Sequence, residues 1–265
     1  LEDHVIENTS VVPASIAISS MICFGHLFYK DFPSLNDFEI KNIMMLLDGR
    51  DITCYSHYQF TPELTGLKPY LKISSLMTSQ VEHFVASMTP RFENSANELA
   101  RLSEFFNYKI ELNDFYSKAC IGFGSKFQNL EEIFYNDDNN KKNILGLGKS
   151  TPIYYTGLKM ADTIISILES AFQTVSCFGI ILGKGLAIPL RFSKLIIEKI
   201  DFKQFIICPD IIESNIDHDD LPLISNVIIY NEKNEVLVII ERLEMSTIRH
   251  HPTLPFKLLE TSREL

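Results

Sequence analysis

The sequence predicts a helix-rich α+β chain, folded over 1–265 as a single domain or as two closely packed lobes, with an antiparallel β-hairpin near its C-terminus. Three observations carry this expectation. Apolar stripes recur at helical spacing between capping residues. Two β-branched runs at 226–241 flank a short polar turn. Helices and strands do not alternate in the regular manner of a doubly wound sheet. With 265 residues, 46% hydrophobic and 22% charged, the chain is long enough to bury a core unaided and too apolar to be disordered.

The first element is the run 11–29, which lacks Asp, Glu, Lys and Arg. Pro13, Ser15, Ser19, Ser20, Gly25 and His26 dilute it, so it is expected as a buried strand or helix rather than a membrane span. The acidic flank Glu2, Asp3 and Glu7 has the wrong sign for a secretory leader. A helix is expected over 38–47, with Ile40, Ile43, Met44 and Leu47 on one stripe, Asn36 and Glu39 at capping-box spacing and Gly49 beyond its end. Another is expected over 80–88, where Met77, Val81, Phe84, Val85 and Met88 align, Ser79 and Glu82 can cap, and Pro90 stops the run. A third covers 92–106. The cleanest covers 157–172, through Leu158, Ala161, Ile164, Ile165, Leu168, Ala171 and Phe172. A fifth covers 190–200, burying Phe192, Leu195, Ile196 and Ile200.

Strands are expected at 52–60, 109–112 and 205–208, and above all in the hairpin Val227–Tyr230 and Val236–Ile240, joined by the polar turn 231–235. Both arms are apolar on consecutive positions, which implies cover on both faces. The eight polar residues of 136–143 mark either an exposed loop or a boundary between lobes.

The chemistry is harder to find. Net charge −10 argues against a nucleic-acid partner. Five scattered cysteines with no Cys-x-x-Cys pair point to a reducing, intracellular compartment, cytoplasm or nucleus. Two glycine–lysine stretches, 143–151 and 179–185, lack the spacing and flanking elements of a phosphate loop. Two Cys-x-x-His pairs, Cys23 with His26 and Cys54 with His57, have a spacing that could present zinc ligands. They are expected to be unconnected core residues, and no cofactor is expected. The adjacent His250 and His251 point apart in any strand and are expected to be solvated.

An acidic cluster at 210–220, including Asp219 and Asp220, precedes the hairpin. In outline this resembles restriction-type nucleases of the PD-(D/E)XK class, with Glu241-Arg242-Leu243 on the second strand. Leu243 stands where that pattern has lysine, and Asn226 where it has aspartate, so the resemblance implies at most a degenerate phosphodiester site using Asp219, Asp220 and Glu241. Lys184, Arg191, Lys194, Lys199 and Lys203 lie within 20 residues, and this basic stripe is expected to dock another protein chain, a second copy or a different subunit. With no complete catalytic constellation along the chain, the expected function is that of a non-enzymatic interaction or scaffold protein.

Overall fold

The computed structural model describes residues 4–6, 9–46, 54–63, 66–76, 80–91, 105–118, 121–138, 141–150, 158–183, 185–213, 222–249 and 258–264. In chain order they form β1 (His4–Ile6), β2 (Thr9–Val11), α1 (Ala14–Tyr29), β3 (Ser34–Ile40), β4 (Met45–Leu46), β5 (Cys54–Glu63), β6 (Gly66–Leu76) and β7 (Gln80–Thr89). There follow β8 (Phe105–Ile110), α2 (Leu112–Lys118), β9 (Ile121–Phe123), a 3-10 turn (Ser125–Phe127), β10 (Leu130–Asp138), β11 (Lys141–Lys149) and α3 (Lys159–Ile181). The chain continues through β12 (Leu186–Ile197), β13 (Gln204–Glu213), β14 (Leu223–Asn231), β15 (Val236–Arg249) and β16 (Leu258–Glu264).

Among the described residues, twelve strands make one antiparallel sheet in the order β16-β8-β10-β11-β13-β14-β15-β12-β3-β7-β6-β5. The helix-rich expectation is therefore corrected, because strand dominates. The sheet joins the strands that precede 105 to those that follow it at the β12–β3 seam, where Phe192 pairs with Phe38 and Leu195 with Leu35. The rings of Phe38 and Phe192 stack there with centroids 4.8 Å apart.

Helices α1 and α3 pack on each other, α1 also touching β3 and α3 touching β11 through β14. The polypeptide closes around α3 so fully that every residue from Ala161 to Gly179 is buried. This helix has the length and apolar content to cross a membrane, and here it is enclosed by protein instead. Its own hydroxyls adapt by local bonding. Thr163, Ser170 and Thr174 donate to the carbonyls four residues back, at 2.8–2.9 Å. Gly146 on β11 allows this close approach, since a Cβ there would collide with Oγ1 of Thr174.

Three expected helices are strands, for identifiable reasons. In β3 the buried Leu35 and Phe38 are three apart because Asp37 takes φ 52° and the pairing with β7 shifts between Asn36 and Glu39. That bulge turns a period of two into a helix-like spacing. In β7, residues His83 to Met88 are all buried, so a stripe can be drawn at any period. In β12, Phe192, Leu195 and Ile196 are buried as expected, but as part of a central strand covered on both faces. Of the expected helix 92–106, residues 92–104 lie outside the described residues, and Phe105 and Phe106 open β8. The helix expected over 157–172 is present and longer, and the hairpin is β14–β15, with β13 beside it. The polar run 136–143 falls at the β10–β11 hairpin, with Asp137 opposite Lys142.

Leu168 is fully buried at the middle of α3. Leu168→Ala is expected to destabilise the protein by about 2–5 kcal/mol in equilibrium denaturant unfolding, since the enclosed helix has no room to collapse around the cavity.

Candidate active site

The second sheet, β4-β2-β1-β9, is small, but it ties the first strands of the chain to β9 at Ile121–Phe123. Strand β1 lies between β2 and β9, with His4 opposite Phe123. This places the His4 imidazole over α3. His4 Nε2 lies 3.8 Å from Oε1 of Glu169, and both side chains are nearly inaccessible. The ring also meets Phe127 edge-on, centroids 5.3 Å apart.

Glu169 is held from two directions. Ser15, in the first turn of α1, donates its hydroxyl to Glu169 Oε2 at 2.8 Å. One turn further along α3, Gln173 is itself fixed: it accepts from the Tyr116 hydroxyl at 3.1 Å and donates to the Phe127 carbonyl at 2.8 Å. His4, Glu169, Gln173 and Ser176 are the polar members of a cleft whose walls are otherwise apolar, among them Ile6, Val11, Ile40, Phe84, Phe172 and Ile188. Ser176 Oγ accepts from the Ala187 amide at 3.2 Å, which docks β12 against the helix on this side.

Burial acts on the two titratable groups in opposite senses. It lowers the imidazole of His4 from 6.5 to about 4, because the cation loses its hydration. It raises the carboxyl of Glu169 from 4.5 to about 7, against the smaller opposing effects of the hydrogen bonds from Ser15 and Gln173. At neutral pH the imidazole is thus a neutral base, and about half the carboxyl is a neutral acid. A base and an acid a few ångströms apart in an apolar cleft can take one proton from a substrate and give another.

Of the candidate site residues offered by the sequence, none that is described lines this cleft. Cys23 is half-buried on α1, and His26 stacks on Phe32 at 5.1 Å. Cys54 and His57 lie on β5, opposite Ser75 and Lys72 in the backbone register. Among the described residues no group of three or more His, Cys, Asp or Glu is placed to hold a metal ion. Asp219, Asp220, His250, His251 and Lys184 lie outside the described residues. Glu241 is exposed on β15, opposite Lys194, and its carbonyl accepts from the Ser193 hydroxyl at 2.9 Å. The basic residues do not share a helix face. Arg191 donates to Glu244 at 2.7 Å, Lys199 pairs with Glu235 at 3.1 Å, and Lys203 is exposed in the connection to β13. What the sequence did offer was a Glu and a Gln four apart in the long apolar run that forms α3, a spacing that puts both on one face. No local signal links His4 to them.

The opposite shifts have a measurable consequence. The lowered His4 value makes stability rise with pH between about 4 and 6.5, since only the unfolded chain binds that proton there. The raised Glu169 value makes stability fall between about 4.5 and 7. In the parent protein the two slopes oppose each other. Glu169→Gln is expected to leave a rise, and His4→Phe a fall, each of about 3 kcal/mol across its window in urea unfolding at stepped pH. Two parallel, flat profiles would show that neither group is shifted.

Comparison with known proteins places this geometry in a structural context. No family model matches the sequence, and no curated protein matches it. Solved structures do. The dehydratase domain from the CurF module of curacin polyketide synthase superposes with a TM-score of 0.74 at 17% identity, over 94% of this chain and 88% of that one. The dehydratase domain of a mycocerosic acid synthase-like polyketide synthase gives 0.73 at 13% identity, over 93% and 86%. That of PpsC from Mycobacterium tuberculosis, in complex with C12:1-CoA, gives 0.69 at 14% identity, over 94% and 89%. At these identities the likeness is one of architecture: the chain has the hotdog fold of polyketide synthase dehydratase domains, with its buried His–Glu pair on the cleft between the two central helices and the small sheet.

Proposed function

We propose that this chain is a dehydratase acting on a 3-hydroxyacyl thioester. The observation that carries the reading is the pairing of His4, held neutral, with Glu169, whose carboxyl is raised to about 7 and so keeps its proton in part at neutral pH, 3.8 Å apart on an apolar cleft. Neutral His4 removes the proton on the carbon next to the thioester carbonyl, where the carbonyl makes it acidic. The electron pair forms the Cα–Cβ double bond, the Cβ–O bond breaks, and Glu169 protonates the departing hydroxyl to give water. His4 is then a cation and Glu169 an anion, and return of the proton from His4 to Glu169 restores the pair. The aliphatic walls suit an acyl chain, and the described lining carries no Lys or Arg that would balance a charged substituent. Two structural neighbours, the CurJ and CurK dehydratases, are described as inactive mutants with phenylalanine in place of histidine, which supports assigning the base to a histidine here.

This reading replaces the two drawn from the sequence. The scaffold expectation rested on the absence of a catalytic constellation along the chain, and the constellation is assembled in space, in a fold shared with dehydratase domains. The nuclease-like alternative fails as well. Glu241 stands exposed opposite Lys194, and the fold neighbours are dehydratase domains.

The test is conversion of a 3-hydroxyacyl-CoA to the enoyl thioester, followed by ultraviolet absorbance. The log of kcat/KM is expected to rise as His4 deprotonates near pH 4 and to fall as Glu169 deprotonates near pH 7. His4→Phe and Glu169→Gln are each expected to lower kcat by roughly 100-fold or more. Failure of the parent protein to turn over short-, medium- or long-chain 3-hydroxyacyl-CoA would overturn the assignment.

A further inference from the structure

We propose that Ser15 is a positioning residue for the Glu169 carboxyl. Its hydroxyl occupies Oε2, so the transferable proton resides on Oε1, the oxygen nearer His4. This rests on the dehydratase reading and deepens it. The two carboxyl oxygens have different surroundings. Oε2 accepts from Ser15 at 2.8 Å, whereas Oε1 lies 3.8 Å from His4 Nε2. Ser15 is fully buried in the first turn of α1, directly after Pro13 and Ala14, which themselves line the cleft. The start of that turn is anchored, since the Val12 amide donates to the Met44 carbonyl at 2.9 Å.

Other helix hydroxyls behave differently. Ser20, Thr163, Ser170 and Thr174 bond to carbonyls four residues back on their own helix. Ser15 instead reaches across 154 residues of sequence to a side chain. It is not needed merely to dock the two helices, because Ser19, one turn on, donates to the Ala161 carbonyl at 3.0 Å and already does so. A glutamate has three side-chain torsions. Without the Ser15 hydroxyl the bond from Gln173 is the remaining side-chain donor to it, the carboxyl is freer to turn and exchange its oxygens, and the proton is then delivered in the wrong direction for part of the time. The same hydrogen bond favours the carboxylate, so its loss moves Glu169 upward.

The Ser15/Ser19 pair supplies the test and its control. In protein labelled with carbon-13 at the glutamate carboxyl, Ser15→Ala is expected to raise the Glu169 titration midpoint by about one pH unit. With 3-hydroxyacyl-CoA it is expected to lower kcat by about tenfold, with KM changed less than about twofold, and to move the alkaline limb of the pH profile up by the same amount. Ser19→Ala is expected to weaken unfolding resistance while leaving the midpoint and kcat in place. If Ser15→Ala titrates and turns over as the parent does, or if Ser19→Ala produces the same shifts, Ser15 only packs helices and the proposal is overturned. If the parent turns over no substrate yet Ser15→Ala still moves the midpoint, the dehydratase reading falls and the control of Glu169 by Ser15 stands.

Discussion

A helix buried from Ala161 to Gly179 must find protein partners for most of the polar side chains it carries, because burial removes them from bulk water. That constraint on α3 organises the rest of the structure. Thr163, Ser170 and Thr174 turn inward to their own helix carbonyls, while the buried Ser166 hydroxyl makes no hydrogen bond. Gln173 is tied by Tyr116 and the Phe127 carbonyl. Ser176 takes the Ala187 amide. Glu169 cannot be satisfied as an anion by such bonds alone, so the enclosure holds on to its proton. The sheet that wraps the helix to stabilise the fold is thus also the cause of the acid.

The histidine is governed by the same enclosure from outside. Strand β1 is only three residues long and would be marginal alone. It is held between β2 and β9, and so the first described residue of the chain is pinned over the middle of α3. The imidazole loses hydration there and becomes a weak base that stays neutral. Placing a group that gives up its proton readily next to one that keeps it, with 3.8 Å between them, provides both a proton acceptor and a proton donor before any substrate arrives.

The two helices meet with the polar contacts concentrated at their crossing. Ser15 and Ser19 on α1 face Glu169 and Ala161 on α3. The packing contact and the chemical site are therefore one surface. Mutations that loosen the crossing and mutations that alter the carboxyl are separable only by comparing neighbouring positions on the same helix.

The sequence by itself determined the central hairpin, the third strand beside it and the existence of α3, because each has a strong local signature: β-branched runs around a polar turn, or a long apolar helix stripe. It also indicated that much of 11–29 would be buried, which holds for most of the run up to Gly25, while Leu27 and Phe28 are exposed. It could not distinguish strand from helix in β3, β7 and β12. A bulge at Asp37 and two-sided cover of β7 and β12 erase the period of two on which that distinction depends. The tertiary structure alone decided that α3 is covered on its polar face as well as its apolar one. With that it decided that Glu169 is an acid rather than a solvated surface charge. It alone brought His4 to Glu169, since the 164 intervening residues carry no local trace of a contact made by sheet pairing and helix crossing.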